Sequence, residues 1–164
     1  MLKSIVLTLL AATVVAVDDM DKTMEEICLE NGYRSEMHTV VTYDGYILTL
    51  YRIPGKFSDN LSEKKPAVLM VHAQDCDMLE WVWNDASQAN AFILANAGYD
   101  VWMGNNRGSK YSHGHLTLST KDHAYWDYYQ EDMAKYDLPT FIDFVTEHTA
   151  QPKISYIGHS EGTT

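Results

Sequence analysis

A serine between two glycines carries the clearest chemical signal in this sequence. Gly158-His159-Ser160-Glu161-Gly162 fits the pattern G-x-S-x-G, which places a serine hydroxyl on a sharp turn between a strand and a helix. Small residues two positions before and after the serine allow that turn, and valine or leucine at Gly158 or Gly162 would crowd it. Serine becomes a nucleophile when a neighbouring base takes its proton. The pattern therefore predicts covalent catalysis by Ser160.

The residues around this pattern help to decide between a catalytic elbow and an ordinary loop serine. The bare pattern occurs by chance often enough that a glycine-flanked loop serine is a serious alternative. Here an apolar run at 154–157 leads directly into Gly158, as a strand before the turn requires. In this fold the catalytic acid and then the histidine follow the serine in chain order. We therefore expect these 164 residues to supply the nucleophile without its acid and base.

The elements that must position the serine begin with a β-hairpin. Two β-rich runs, at 39–43 and 46–53, are separated by Asp44-Gly45. Asp-Gly between such runs is typical of a two-residue turn in which both residues have positive φ. A short helix is predicted before the hairpin, at 24–30.

Strands and helices then alternate. The run 67–71 is entirely apolar, which predicts a strand buried on both faces. The next helix has Asp85 as a candidate N-cap and Gly98 as a candidate C′ residue. In the last helix, Pro139 either causes a kink or marks the start of the helix. The pattern predicts helix 86–97, strand 99–103, helix 132–148 and strand 154–157. Such alternation implies an α/β fold, with a parallel sheet covered by helices.

Composition restricts the partners and cofactors. A net charge of -11 disfavours nucleic acid and anionic membrane surfaces as partners, although an ordinary solvated surface also explains it. His113, His115 and His123 lack the tight ligand spacing of a zinc site, so we expect no metal and no other cofactor. Seven aromatic residues could line an acyl pocket, but core packing is their more common use: Trp81, Trp83, Trp102, Tyr125, Trp126, Tyr128 and Tyr129.

The N-terminal residues are typical of a secretory signal peptide. Lys3 precedes an apolar stretch at 5–17, which is shorter than the roughly 20 residues of a spanning helix. Val14-Val15-Ala16 offers a small-residue cleavage site. We therefore expect 1–17 to be a signal peptide and 18–164 to be one domain.

Two further features depend on a secretory route. Asn60 begins the only sequon for N-glycosylation and lies in a polar loop, where an acceptor should lie. Cys28 and Cys76 are the only cysteines. They could pair in a secreted protein, but two thiols do not make a disulfide framework, and two buried free thiols are the open alternative.

Five motifs, taken in order, resemble the acid lipases, a group of gastric and lysosomal lipases with the α/β-hydrolase fold. They are Gly45-Tyr46-Ile47-Leu48 with Arg52-Ile53-Pro54, Asn96-Ala97-Gly98-Tyr99-Asp100-Val101-Trp102-Met103-Gly104-Asn105, Arg107-Gly108, Tyr136-Asp137-Leu138-Pro139 and Gly158-His159-Ser160-Glu161-Gly162-Thr163-Thr164. The resemblance covers nearly everything after the signal and corresponds to the N-terminal half of such a lipase, truncated after the elbow. It implies a secreted or lysosomal carboxylic-ester hydrolase that acts on neutral lipid esters, either triglycerides or sterol esters, without a metal.

The resemblance also implies roles for three residues. Ser160 matches the nucleophile, and the backbone N–H of Glu161 matches one donor of the oxyanion hole. Gln74, which follows His72-Ala73, matches the second donor. Ala73 stands where the family has glycine, and Glu161 where it has glutamine. A carboxylate beside the developing oxyanion opposes its stabilisation.

Three interpretations remain open at this level. The chain is the N-terminal part of a lipase and inactive by itself, or a non-catalytic secreted protein of lipase ancestry that binds a lipid or a partner, or an unrelated domain with a chance elbow. Under the first, the strand at 154–157 has an open edge, so we expect aggregation or a capping partner. His159 is adjacent to Ser160 in the sequence, and His72 belongs to the segment that is expected to lie beside it. The resemblance matches neither histidine to the catalytic base.

Overall fold

The computed structural model describes residues 22–164, so the predicted signal peptide at 1–17 lies outside the described residues. Helix α1 (Met24–Glu30) begins with a reciprocal cap at Thr23. The Thr23 hydroxyl accepts a hydrogen bond from the Glu26 N–H at 3.2 Å, and the Thr23 N–H donates to the Glu26 carboxylate at 2.8 Å. This capping box satisfies two of the amides that a helix start leaves free.

A six-stranded mixed sheet runs through the described residues. Its strands are β1 (Glu36–Val41), β2 (Tyr46–Ile53), β3 (Ala67–Val71), β4 (Asp100–Asn105), β5 (Gly114–His115) and β6 (Ser155–Gly158). The order is β1-β2-β4-β3-β6, and β5 pairs with β2. β2 is antiparallel to its three partners, whereas β3 is parallel to both β4 and β6. The predicted hairpin followed by parallel strands is confirmed.

Helices cover both faces of this sheet. α1 and α2 (Asn90–Asn96) cover one face and α4 (Leu138–Thr149) covers the other. A short helix without buried residues, α3 (Gln130–Asp132), and a π-helical turn (Met133–Asp137) lead into α4. Alternate residues of β3 and β4 enter two cores: Val68, Met70, Val101 and Met103 pack with α1 and α2, whereas Leu69, Val71 and Trp102 pack with α4. Burial on both faces explains why these strands are continuous apolar runs. Among residues 22–164, no helix has the length and apolar character needed to cross a bilayer.

The predicted two-residue hairpin turn is wrong. The N–H of Thr42 donates to the carbonyl of Tyr46 at 2.9 Å, which leaves the three residues 43–45 as the loop. Within this loop only Gly45 has a positive φ, of 99°. A three-residue loop with a left-handed glycine last is the next most common hairpin, and it ends the first strand at Val41 instead of at residue 43.

The first predicted helix of the alternating region starts later than expected. Asp85 is not its N-cap, because the Asp85 carbonyl accepts hydrogen bonds from Gln88 and Ala89 in a separate turn, and α2 begins at Asn90. The C-terminal prediction is confirmed. Gly98 has φ of 90° and lies one residue past the C-cap.

Two other boundaries differ from their predictions. β4 continues through Gly104 to Asn105, because both residues still pair with β2. The missing side chain of Gly104 makes room for Phe141, since an added Cβ would lie 2.8 Å from that ring. In the last helical segment, the N–H of Leu138 donates to the carbonyl of Met133, which makes a π-helical turn. Pro139 follows in the first turn of α4, so it marks the start of that helix.

Candidate active site

Ser160 lies exposed at the turn that follows β6. Its φ is 49°, a left-handed value that residues other than glycine rarely adopt, and a 3₁₀ turn (Ser160–Thr163) begins there. The N–H of His159 donates to the carbonyl of Val71 at 3.1 Å, and the N–H of Gly162 donates to the carbonyl of His159 at 2.9 Å. Strained backbone at a serine between a strand and a helical turn has the geometry of a nucleophile elbow.

Both flanking glycines occupy positions where the backbone leaves no room for a side chain. A Cβ at Gly158 would collide with the carbonyl oxygen of Gly162, and a Cβ at Gly162 with the carbonyl oxygen of Val71. The Tyr156 hydroxyl also donates a short hydrogen bond to the Gly162 carbonyl. The crowding expected at these two positions therefore comes from main-chain atoms, which cannot move aside as a flexible side chain can.

Glu80 connects the segment after β3 to the elbow. Its carboxylate accepts hydrogen bonds from the Ala73 N–H at 3.3 Å and lies 3.4 Å from Nδ1 of His159. The side chain of Glu80 is 9% exposed and that of His159 is 63% exposed. Sequence reasoning gave Glu80 no role, and nothing in its spacing from the elbow indicates this contact. Glu80 therefore links the backbone at Ala73 to the side chain of His159 in the elbow.

His72 is buried and fully engaged. Its Nδ1–H donates to the carbonyl of Ala73 at 2.8 Å, and its Nε2 accepts from the N–H of Asn106 at 3.1 Å. These two contacts fix the tautomer of the ring, with the proton on Nδ1. Both ring nitrogens of His72 thus contact groups other than the Ser160 hydroxyl, and Nδ1 of His159 faces Glu80.

Gln74 and Glu161 line the same cavity, which has a volume of about 690 Å³. Ser160 itself does not line it. The wall also includes other residues of the segment after β3, the segment 106–110 after β4, and residues between 126 and 133. The Glu161 carboxylate accepts a hydrogen bond from the Gln130 side-chain amide at 3.2 Å, so it is turned toward the start of α3. A cavity of this size lies within the range of small-molecule sites.

Arg107 joins the end of β4 to the hairpin loop and to the π-helical turn. Its guanidinium donates to the Asp44 carboxylate at 2.7 and 3.0 Å and to the Asp137 carboxylate at 2.9 and 2.7 Å. The side chains of Arg107 and Asp137 are 1% and 0% exposed. The guanidinium also lies 3.9 Å from the centre of the Tyr46 ring. This buried ion-pair cluster fixes the path of the cavity wall at 106–110.

Arg107 stabilises the charge on Asp44, whereas burial raises the pKa of Asp137 above its ordinary value although Arg107 donates to its carboxylate. Burial opposes the charge on Asp44, but hydrogen bonds from Arg107 and Thr42 outweigh it and hold the pKa of Asp44 below its ordinary value. Burial likewise opposes the charge on Arg107, and its two carboxylate partners raise the pKa of Arg107 above its ordinary value. Sequence reasoning quoted Arg107 and Asp137 only as parts of separate motifs and missed their contact.

His113 and His115 make hydrogen bonds within their own segment, and Nε2 of His115 also lies 3.2 Å from the carbonyl oxygen of Asp44 in the hairpin loop. Nδ1 of His115 accepts hydrogen bonds from the N–H groups of Thr117 and Leu118, both at 3.0 Å. Nε2 of His113 lies 3.0 Å from the carbonyl oxygen of Gly108. Both rings thus help to hold the irregular segment between β4 and α3.

The seven aromatic residues divide between the core, the cavity and the surface. Three are buried, three line the cavity and one is exposed at the surface: Trp81, Trp102 and Tyr125; Trp126, Tyr128 and Tyr129; and Trp83, respectively. Only the first group follows the more common use of such residues in core packing.

The cysteines and the sequon occupy separate places. Cys28 and Cys76 are both free thiols, and burial raises the pKa of Cys28 to about 12. Cys76 is only partly buried. Asn60 is exposed, and its Oδ1 accepts hydrogen bonds from the N–H and hydroxyl of Ser62 at 3.2 and 2.8 Å.

Two family profiles match the chain. A partial alpha/beta-hydrolase lipase region matches residues 24–85, and the alpha/beta hydrolase fold matches residues 66–164, more than half of the chain. The chain belongs to the α/β-hydrolase fold family. This agrees with the observed sheet order and with the turn that carries Ser160.

Similar curated proteins are lipases. Lipase member N of Mus musculus is 49% identical over 140 residues, which is 85% of this chain and 35% of that protein. Gastric triacylglycerol lipase of Bos taurus is 46% identical over 134 residues, 81% of this chain and 34% of the relative. Lysosomal acid lipase/cholesteryl ester hydrolase of Homo sapiens is 44% identical over 151 residues, 91% of this chain and 38% of the relative. The resemblance to acid lipases is confirmed. The chain spans about a third of the length of these relatives, so the expected correspondence to half of such a lipase is wrong.

Solved structures with this fold include esterases. The Pyrococcus furiosus esterase Pf2001 aligns with a TM-score of 0.57 at 17% identity, covering 87% of this chain and 46% of that one. Esterase Est22 with p-nitrophenol aligns with a TM-score of 0.53 at 20% identity, covering 88% of this chain and 40% of that one. At such identities the likeness concerns the fold alone, and it confirms the predicted α/β-hydrolase architecture.

Proposed function

We propose that the chain is the N-terminal part of a secreted or lysosomal serine hydrolase that cleaves acyl esters of neutral lipids. The observation that carries this proposal is the elbow, where Ser160 has φ of 49° between two glycines whose positions exclude any side chain. The names of gastric triacylglycerol lipase and lysosomal acid lipase/cholesteryl ester hydrolase support the substrate class and the compartment. The proposal includes a signal peptide at 1–17, a partial lipase domain at 18–164 and a glycan on Asn60.

In this proposal Ser160 forms an acyl-enzyme. Its Oγ attacks the ester carbonyl as the catalytic histidine takes the hydroxyl proton, and the backbone N–H groups of Gln74 and Glu161 stabilise the oxyanion of the tetrahedral intermediate. The alcohol leaves with a proton from the catalytic histidine, and water then releases the fatty acid from Ser160. The acid and the histidine follow the serine in chain order in this fold, so we place both after Thr164. Serine chemistry of this kind requires no metal and no other cofactor.

The Glu161 carboxylate should slow this reaction, because negative charge near the oxyanion acts mainly on the transition state. In the longer protein, Glu161→Gln should raise kcat about threefold to tenfold and change KM less. Glu131→Gln is the matched control, since Glu131 lines the same cavity but is not adjacent to the nucleophile. Equal effects of the two variants, or an unchanged kcat from pH 4 to 8, would contradict a specific role for Glu161.

Expressed alone, the 164-residue stretch should have no appreciable esterase turnover, because Ser160 has no base to take its proton. The product of the reading frame extended past Thr164 should hydrolyse a short p-nitrophenyl ester. Ser160→Ala should abolish that activity, and Ser109→Ala, at the cavity wall, should leave most of it. Turnover by the short stretch that disappears in Ser160→Ala would contradict the expected inactivity.

The second candidate is a non-catalytic protein of lipase ancestry that binds a lipid or a partner. It is favoured by the position of Glu161 beside the nucleophile and by the Ala73 N–H, which the Glu80 carboxylate already occupies. Sequencing the transcript beyond the codon for Thr164 separates the two candidates. A stop codon there favours the binding protein, whereas an open frame with a later aspartate and histidine favours the lipase.

A further inference from the structure

Three side chains that the proposed hydrolysis does not use converge between β1 and α4. Glu36 and His38 are two residues apart on β1 and therefore project from the same face of the sheet. His148 lies in the last turn of α4, which packs against β1. One ligand atom from each of the three lies within 4.8 Å of the other two.

One pair of these atoms already has the spacing of ligands around a small metal ion. In tetrahedral zinc sites with bonds of about 2.0–2.2 Å, neighbouring ligand atoms lie about 3.3–3.5 Å apart. Nε2 of His38 is already 3.3 Å from Oε2 of Glu36. The ring centres of His38 and His148 are 5.0 Å apart, and His148 is on the exposed side, so a rotamer adjustment can bring its nitrogen closer.

Arg52 holds the carboxylate of this group in place. It donates to the Asp100 carboxylate through Nε and Nη2, both at 2.8 Å, and to Oε2 of Glu36 through Nη1 at 3.0 Å. Hydrogen bonds from a second layer commonly orient metal ligands. Because Asp100 balances the charge of Arg52, the guanidinium can orient Glu36 without leaving net positive charge beside a cation.

Aromatic packing is the simpler explanation for the two histidines. The rings of His38 and His148 lie 5.1 and 5.2 Å from the Trp102 ring, centre to centre. Packing explains why the rings are close to one another. It gives no reason for ring nitrogens to converge with a carboxylate, and it makes no use of Glu36.

The geometry points to a binding site for zinc or a similar divalent metal ion, formed by Glu36, His38 and His148 with water as the fourth ligand. Two imidazoles and one carboxylate are a ligand set that zinc accepts. The ion would tie an edge strand of the sheet to the end of α4, which are far apart in the sequence.

This site is at the opposite end of the sheet from Ser160. Glu36 pairs with Arg52, and Arg52 pairs with Trp102 near the start of β4, whereas Ser160 follows the end of β6. β4 and β6 are both parallel to β3, so their ends point the same way. The expected effect of the ion is therefore on stability, and ester hydrolysis does not depend on it.

Titration calorimetry of the untagged, full protein with zinc chloride tests the proposal. We expect saturable binding of one ion per chain and a higher melting temperature with zinc than with a chelator. His148→Ala should weaken binding about tenfold or more, whereas His123→Ala, which removes an exposed imidazole outside the group, should not.

A second variant guards against a packing effect of His148→Ala. Glu36→Gln keeps the shape of the side chain and removes its charge, so it should also weaken binding about tenfold or more while leaving the melting temperature in chelator nearly unchanged. Zinc affinity equal to that of the unmodified protein in both variants, or no saturable binding at all, would overturn the site and leave aromatic packing as the explanation.

Discussion

The centre of the sheet and its β6 edge are built in different ways. β3 and β4 are buried at every position and paired on both sides. Among the described residues β6 pairs with β3 alone, and Ser155 and Tyr156 on it are exposed. The serine thus follows the less enclosed strand. Its geometry depends on main-chain contacts with β3 and within the turn, so damage to the centre and damage to the edge should have different consequences.

The largest loss of stability is expected from a change beside the centre. Arg107→Ala leaves Asp137 buried without its cation, which should lower the free energy of unfolding by about 3–5 kcal/mol. Arg34→Ala is the control, because Arg34 makes a hydrogen bond to the Phe57 carbonyl in a more exposed setting. Denaturant titrations of both variants measure the difference. If each of the two variants lowers the free energy of unfolding by less than about 1 kcal/mol, the buried ion-pair cluster does not stabilise the centre of the sheet.

A change at the edge should instead affect the site more than the fold. Gly162→Ala adds a carbon against the Val71 carbonyl, so we expect a cost of about 1–3 kcal/mol and, in the longer protein, a loss of esterase activity of about 100-fold or more. Gly32→Ala adds the same carbon where nothing lies within 4 Å, with strain only from its φ of 78°. It should leave kcat unchanged. Equal activity in the two variants would show that the elbow tolerates a side chain.

The smallest effect concerns association through the open edge. The 164-residue stretch by itself should form oligomers or bind a capping partner through β6, because an open strand edge recruits other strands. Ser155→Lys should shift the mass measured by light scattering toward the monomer, and Leu116→Lys, an exposed position away from β6, should not. A monodisperse monomer with a cooperative melting transition would show that this part of the fold is self-sufficient.

The sequence predicts features that depend on local patterns, but not contacts between distant segments. β3 was predicted to the residue because its five positions are all apolar. The sharp turn at Ser160 was predicted because the glycine spacing reflects a main-chain constraint. The contacts of Arg107 were not predictable, since Asp44 and Asp137 lie 63 and 30 residues away and nothing local signals that they meet. Glu80 was missed for the same reason. Local patterns specify elements, whereas ion pairs between segments depend on the packing of the whole sheet.

Covalent labelling tests the central claim, that Ser160 is the nucleophile of an ester hydrolase, most directly. A fluorophosphonate probe applied to the longer protein should form one adduct, which mass spectrometry maps to the tryptic peptide that begins after Lys153 and contains Ser160. The adduct should be absent in Ser160→Ala and in heat-denatured protein. An adduct on another serine, or ester hydrolysis that persists in Ser160→Ala, would contradict the claim.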